Sequence, residues 1–191
     1  MRIYLNLANR LTLLGPNQLW IADITYIRLA REYVFLAVVL DAFSRKVVGW
    51  ALDQSLKTQL PLCALLRAIA NRRPPVGVVH HSDQGVQYAS KEYMQMLWKH
   101  GMLPSMSRPG NPYDNATCES FLKTLKREEI HASTYRDVED LRKRLEGFIE
   151  QYYNQCRLHS ALGYRSPATF EEEVHSEQGS AYAAAMMFIN G

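Results

Sequence analysis

Three carboxylates in this chain stand where the neighbouring residues are apolar. Asp23 interrupts the strand-like run Trp20-Ile21-Ala22-Asp23-Ile24-Thr25-Tyr26-Ile27. Asp83 follows the short run Val79-His80-His81-Ser82, and Glu119 follows with 35 residues between them, early in a helix-like segment. A carboxylate among apolar neighbours is costly unless something pairs with it. Three that cluster repel one another and shift in protonation unless cations compensate. Oxygen-only ligands suit Mg²⁺ or Mn²⁺. Two such ions, about 3.5–4 Å apart, activate an oxygen nucleophile and stabilise a leaving oxygen in phosphodiester chemistry. Asp23, Asp83 and Glu119 are therefore the expected catalytic residues and metal ligands.

The segment of Glu119 adds a basic face. Lys123 and Lys126 follow it by four and seven residues, one and two helical turns along the same side, with Arg127 adjacent. Cys118, Phe121, Leu122 and Leu125 make the opposite, apolar stripe. A phosphate backbone could follow such a face. The plainer alternative is a solvated surface with a Glu119–Lys123 pair worth a few tenths of a kcal/mol.

Other polar residues have simpler roles. Asp41 and Asp53 suit turns, and Asp114 suits a first-turn helix charge. His80 and His81 are poorer Mg²⁺ ligands than carboxylates and read as hydrogen-bonding groups at a strand end. Gly85 permits a turn beside Asp83. Gly110 and Asn111 suggest a mobile loop before the Glu119 helix. Arg142-Lys143-Arg144 is first a solvated helix face. Trp20, Trp50, Tyr152 and Tyr153 read as core.

The elements that must position these residues are legible from periodicity. Residues 1–16 form a lead ending at the Gly15-Pro16 turn. A strand over Trp20–Ile27 puts Asp23 on one face with Ile21, Thr25 and Ile27. Tyr33–Leu40 is nearly unbroken apolar sequence, as in a strand covered on both faces. Lys46–Leu52 completes an antiparallel meander. A helix follows, with Thr58 as its cap and Pro61 in its first turn, ended by Arg72-Arg73-Pro74-Pro75. Val76–His80 makes a fourth strand. A helix capped by Ser90 runs to Lys99, Gly101 stops it, and Met102–Met106 makes a fifth strand. Pro112 is placed to start the Glu119 helix, which ends near Glu129. Another helix spans about Tyr135–Asn154, with Val138, Leu141, Leu145, Phe148, Ile149 and Tyr152 on one stripe. Residues 155–173 form an ordered extension with a turn at Ser166-Pro167, and residues 174–191 an irregular tail. The order predicts an α/β fold with a mixed five-stranded sheet flanked by helices.

Composition sets the outer limits. Of 191 residues, 47% are hydrophobic and 21% charged, with a net charge of +3, which describes an ordinary globular domain and does not by itself suggest nucleic acid. Cys63, Cys118 and Cys156 match neither a disulfide framework nor a zinc pattern, which points to a reducing compartment. No signal-peptide pattern opens the chain, and the apolar stretch Ala181–Ile189 is too short to span a bilayer. A cytoplasmic protein with no membrane partner is expected.

Three motifs together resemble the catalytic core of bacterial insertion-sequence transposases of the retroviral-integrase-like, Asp-Asp-Glu group. They are Trp20-x-x-Asp23-x-Thr25-Tyr26, His81-Ser82-Asp83-x-Gly85-x-Gln87-Tyr88 and Asp114-Asn115-Ala116-x-x-Glu119-Ser120-Phe121. The string Tyr153-Asn154-x-x-Arg157-x-His159-Ser160-Ala161-Leu162-Gly163-Tyr164-x-Ser166-Pro167 resembles that family's C-terminal signature. The resemblance covers residues 17–173 and implies one catalytic core with a C-terminal helical extension, in a ribonuclease H-like fold. It implies that Asp23, Asp83 and Glu119 hold Mg²⁺ or Mn²⁺, two ions in all. It implies that Lys126 takes a position that contacts the DNA end; Lys123 and Arg127 are further expected DNA-binding residues, and Arg157, like His159, is expected either to contact DNA or to anchor the extension.

The implied partners are DNA, as element ends and target, and further copies of the chain assembled on it. A separate helix-turn-helix recognition protein or domain is a further implied partner, because only 22 residues precede Asp23. The implied chemistry is in-line attack by water to cut an end and by the freed 3′-hydroxyl to join it. Two other readings are a catalytically idle fragment that binds and regulates full-length transposase, and a nuclease acting on RNA–DNA hybrids.

Overall fold

The computed structural model describes residues 5–107 and 115–189. Its centre is a five-stranded sheet in the order β3-β2-β1-β4-β5. Strand β1, Leu19–Arg28, pairs antiparallel with β2, Tyr33–Asp41, through a four-residue connection closed by Leu29 N–H donating to the Glu32 carbonyl at 2.8 Å. Strand β3, Val47–Asp53, extends the meander on the outer side of β2. Helix α1, Gln59–Arg72, then crosses over, and β4, Val79–Ser82, returns parallel to β1. Helix α2, Lys91–Lys99, leads to β5, Leu103–Met106, parallel to β4.

Each face of the sheet has its own core. On one, Trp20, Ala22, Ala37 and Val39 pack with Leu60, Ala64 and Leu65 of α1 and Tyr93 and Leu97 of α2. On the other, Ile21, Leu36, Val38 and Leu40 meet helix α3, Ala116–Leu125, through Cys118, Phe121, Leu122 and Leu125. Helix α4, Val138–Glu146, adds Leu141 and Leu145 to that second core. Alternate residues of β2 thus enter opposite cores, which explains its unbroken apolar sequence. Gly49 on β3 lies so close to α1 that a Cβ would overlap the Ala64 carbonyl and the Ala68 nitrogen.

The wide-turn segments that continue α3 and α4 extend their reach. Helix α3 passes into a π-helical turn over Lys126–Ile130, and α4 into a π-helical stretch over Gly147–Cys156 that buries Phe148, Ile149 and Tyr153.

Several boundaries differ from those expected. Strand β4 begins at Val79 rather than Val76, because Gly77 turns the chain with φ +93° and donates its N–H to the Gly101 carbonyl. Thr58 is itself helical in backbone and makes no capping bond through its side chain. Ser90 does cap α2, its Oγ accepting from Tyr93 N–H at 3.2 Å. Helix α4 starts at Val138 because Asp137 caps it, accepting from Asp140 N–H at 2.8 Å. The tail expected to be irregular from residue 174 lies within helix α5, Pro167–Ile189. Ser166 caps that helix through Thr169 N–H, and no proline follows Pro167 to break it. The expected mobile loop at 108–111 and the Pro112 helix start lie outside the described residues.

Candidate active site

Strand pairing brings the two aspartates together, Asp23 in mid-β1 and Asp83 just past the end of β4. The parallel register pairs Leu19 with Val79 and Ile21 with His81, so two further residues along both chains set Asp83 beside Asp23. Asp23 points to the face that α3 covers, the face of Ile21 and Ile27. Its Oδ1 accepts from Ile24 N–H at 2.8 Å and its Oδ2 from the Asn115 amide at 2.9 Å. Asn115 immediately precedes α3, and Glu119 lies one turn further on, half-buried.

Burial pushes the Asp23 carboxyl above its ordinary value. Hydrogen bonds from Ile24 and Asn115 oppose the shift, while the charges of Asp83 and Glu119 reinforce it. Asp83 and Glu119 thus lie near enough for their charges to act on Asp23. Asp83 is exposed just past β4, and its Oδ1 accepts from Gly85 N–H at 2.9 Å, closing a tight side-chain turn. A Cβ on residue 85 would sit 2.9 Å from that same oxygen. A cavity of about 200 Å³ opens here, lined by Asp23, Asp83, Tyr26, Phe35, Gln87 and Tyr88 among others.

The donors are carboxylate oxygens, the set that suits a hard divalent cation. A cation there would offset the burial that chiefly raises Asp23 and the smaller repulsion from Asp83 and Glu119, so the electrostatics fit such an ion. The arrangement is open, however. Among the described residues no three His, Cys, Asp or Glu side chains already converge closely enough to clasp an ion. Asp83, exposed and bonded to Gly85, is the carboxylate with room to move.

The basic residues divide into two groups. Lys123 is exposed on α3, and the Lys126 ammonium lies 5.6 Å from the Tyr26 ring centre, beside the site. Neither has an ion-pair partner among the described residues, so the Glu119–Lys123 pair does not form. Arg127 and Arg157 instead converge on Glu128, at 2.6 Å and 3.0 Å. The Arg157 hydrogen bond, with Arg127 adding to it, draws the Glu128 carboxyl down to about 2. Arg157 is thus engaged in tying the C-terminal extension to the α3 continuation.

The other polar candidates are structural. His80 Nε2 meets the Tyr93 hydroxyl at 3.0 Å, and burial pushes the imidazole down to about 3. His81 Nδ1 meets Ser105 Oγ at 2.8 Å. Asp41, expected to serve a turn, does so with the N–H groups of Phe43 and Ser44 and also accepts from Asn17 N–H at 2.6 Å. Trp20, Trp50 and Tyr153 are buried, while Tyr152 is largely exposed and donates to Glu128. Arg142 reaches the Leu52 carbonyl, and Lys143 and Arg144 are solvated.

Two features were not legible as functional from sequence. Asn115 stood only as a letter in a motif, and its position one turn before Glu119 was the available signal. Glu171 gave no signal. It is buried and held by Arg72, Lys46 and Ser44, which fastens α5 to the far end of the sheet. Among the described residues no helix is long and apolar enough to cross a membrane.

Known proteins are similar to this chain in sequence and in fold. A family model described as an integrase core domain matches residues 14–112, just over half of the chain, and a second of the same description matches residues 100–167. The transposase for insertion sequence element IS904 of Lactococcus lactis subsp. lactis (strain IL1403) is 43% identical over 158 residues, covering 83% of this chain and 62% of that protein. Transposase InsF for insertion sequence IS3A of Escherichia coli (strain K12) is 42% identical over 159 residues, 83% of this chain and 55% of that protein. The chain thus spans between about half and three fifths of the length of the curated relatives it matches.

Among solved structures, a chain of the simian T-cell lymphotropic virus intasome in complex with PP2A regulatory subunit B56 gamma aligns with a TM-score of 0.67 at 21% identity, covering 83% of this chain and 55% of that one. The HTLV-2 integrase catalytic core domain in complex with magnesium aligns with a TM-score of 0.63 at 18% identity, covering 83% and 98%. Those likenesses identify the mixed sheet and its flanking helices as a ribonuclease H-like fold. By the family model that spans residues 14–112, this chain belongs to the integrase core domain family.

Proposed function

We propose that this chain is the catalytic core of an insertion-sequence transposase that cuts and joins DNA ends, with Asp23, Asp83 and Glu119 as its catalytic carboxylates. The observation that carries the reading is geometric: the β1–β4 register sets Asp83, just past β4, beside Asp23 in mid-β1, and Asn115 at the head of the Glu119 helix bonds Asp23 at 2.9 Å. The all-oxygen donor set suits Mg²⁺ or Mn²⁺, and the HTLV-2 core is described in complex with magnesium. Divalent ions held there, two in this reading, would supply activation of the nucleophilic oxygen and stabilisation of the leaving oxygen.

The chain's own residues supply position and charge. Lys123 on α3 and Lys126 on the turn that continues it lie beyond Glu119 and carry the DNA backbone past the carboxylates. Arg127, exposed beside them, adds charge to the approach, whereas Arg157 supports it from within through Glu128. In the cutting step, water oxygen forms a bond to phosphorus at the element end and the 3′-oxygen leaves as a hydroxyl. In the joining step that 3′-hydroxyl attacks a target phosphodiester, forming one P–O bond as another breaks. Neither step changes oxidation state.

The substrates in this reading are DNA element ends and target DNA, and the working form is a homo-oligomer assembled on them; the HTLV-2 core is described in trimeric and dimeric forms. End recognition falls to a helix-turn-helix protein or domain outside the described fold. The cytoplasm is the compartment that fits these substrates.

The deciding experiment is joining of labelled DNA ends with Mg²⁺ or Mn²⁺, with and without an added recognition domain, by the chain and by Asp83→Asn. Loss of joining in the variant is expected. Joining at the unaltered rate would remove Asp83 from the mechanism, and dimerisation with no joining under any condition would select the idle, regulatory reading.

A further inference from the structure

Asn115 occupies the residue before α3, where an asparagine ordinarily caps the helix by accepting a hydrogen bond from the first turn. Its side chain makes no capping bond. Its amide instead crosses to β1 and donates to Asp23 Oδ2 at 2.9 Å, a contact 92 residues apart in sequence. The other end of the same amide, Oδ1, is buried and has no hydrogen-bond partner among the described residues. The capping bond that would have given Oδ1 a partner is thus given up at this residue. Buried polar groups are otherwise satisfied almost throughout folded proteins, so such an exception calls for a function.

The geometry points to Asn115 as a positioning residue for the carboxylate site, an inference that rests on the function proposed above. The amide N–H fixes the Asp23 carboxylate through Oδ2, while Ile24 N–H holds Oδ1 of the same group. The bond also pins the start of α3, and with it Glu119 one turn later, against β1. The remaining Oδ1 of Asn115 is an acceptor for a donor brought by a hydrated divalent cation, since Mg²⁺ and its analogues keep several of their waters when bound by few carboxylates. Asn115 thus joins the carboxylates of β1 and α3 into one site without being a ligand itself.

Calorimetric titration of the full chain with Mn²⁺ alone tests this, using Asn115→Ala, Asn115→Leu and Asp23→Asn, with thermal midpoints measured free of metal. The leucine variant keeps the side chain's bulk and loses only its polar atoms. Partners of this kind are worth about 10–100-fold in metal affinity, so a drop of about tenfold or more is expected in both Asn115 variants while the metal-free midpoint stays within a few degrees. Mn²⁺ affinity equal to that of the unaltered chain, in either folded variant, would overturn the inference. Asp23→Asn separates the two levels of argument. If it abolishes binding while the Asn115 variants bind normally, only the positioning role fails. If it leaves binding unchanged, the carboxylate site itself is misassigned and the positioning role falls with it.

Discussion

Arg72 and Glu171 meet through two parallel hydrogen bonds of 2.7 Å, although 99 residues separate them. Arg72 closes α1 and Glu171 lies in the first turns of α5, so the pair fastens the last helix to the sheet. Ser44 and Lys46 add bonds to the same carboxylate, and the Arg72 guanidinium also stands 3.6 Å from Asp41. Removing one partner of so enclosed a pair leaves the other buried and only partly compensated, at a cost of up to about 3–5 kcal/mol. Arg72→Ala and Glu171→Ala should each lower stability by an amount of that order in urea denaturation. A change within error of zero in both would show that this ion pair contributes nothing to the fold's stability.

Acid should loosen the sheet before it reaches the carboxylates. Burial pushes His80 down to about 3 and His159 to about 4, from an ordinary value of 6.5. Between those values the unfolded chain binds protons that the folded chain does not, so stability rises with pH there. The contribution is complete above pH 6.5 and declines as pH falls below it. Thermal midpoints recorded from pH 7.5 down to about pH 5 should fall in the unaltered chain. In His80→Gln the decline should be shallower, and an equally steep one would locate the acid sensitivity elsewhere.

Lys126 and Arg157 should part company when DNA binding is measured against salt. Lys126, stacked on Tyr26 without an ion-pair partner, is available to a phosphate. Lys126→Ala should weaken binding and reduce the slope of log affinity against log salt by about one. Arg157→Ala removes the partner that holds Glu128, so it should lower the thermal midpoint and leave the salt slope nearly unchanged. A slope unaffected by the lysine change would return Lys126 to an ordinary surface role.

Gly85→Ala probes the placing of Asp83. The new methyl would stand 2.9 Å from Asp83 Oδ1, the oxygen that accepts the residue 85 N–H. The exposed carboxylate can swing aside, so the fold should persist while end joining falls by about tenfold or more, as misplacement of a reacting group allows. Joining at the original rate would show that this turn does not set the carboxylate's position.

What sequence revealed and what it concealed follow the range of the interactions. The pleat that turns Asp23 toward α3, the two-sided burial of β2 and the Ser90 cap rest on residues within a turn or strand of each other, and the pattern of types displays them. The late start of β4 depends on Gly77 bonding to Gly101, and Arg157 depends on Glu128, 29 residues away. Neither pairing leaves a periodic trace. Helix α5 escaped notice because the sequence after Glu173 lacks an amphipathic stripe, the usual sign of a helix with one buried face. At the site, carboxylate types and spacing were readable. The amide that ties two of their elements together was not, because an asparagine before a helix looks like a cap.

The alignment of Asp83 with Asp23 rests on only three paired residues between β1 and β4. A strand advances by about 3.3 Å per residue and reverses its facing at every step. A slip of one residue would therefore carry Asp83 about 3.3 Å along the sheet and turn its side chain away from α3. The spacing of backbone hydrogen bonds thus acts as a ruler for the carboxylates, with no intermediate marks. Substitutions around His80 and His81 can be expected to leave the site aligned or misset it by a whole step, so lost activity there should be all-or-none rather than graded.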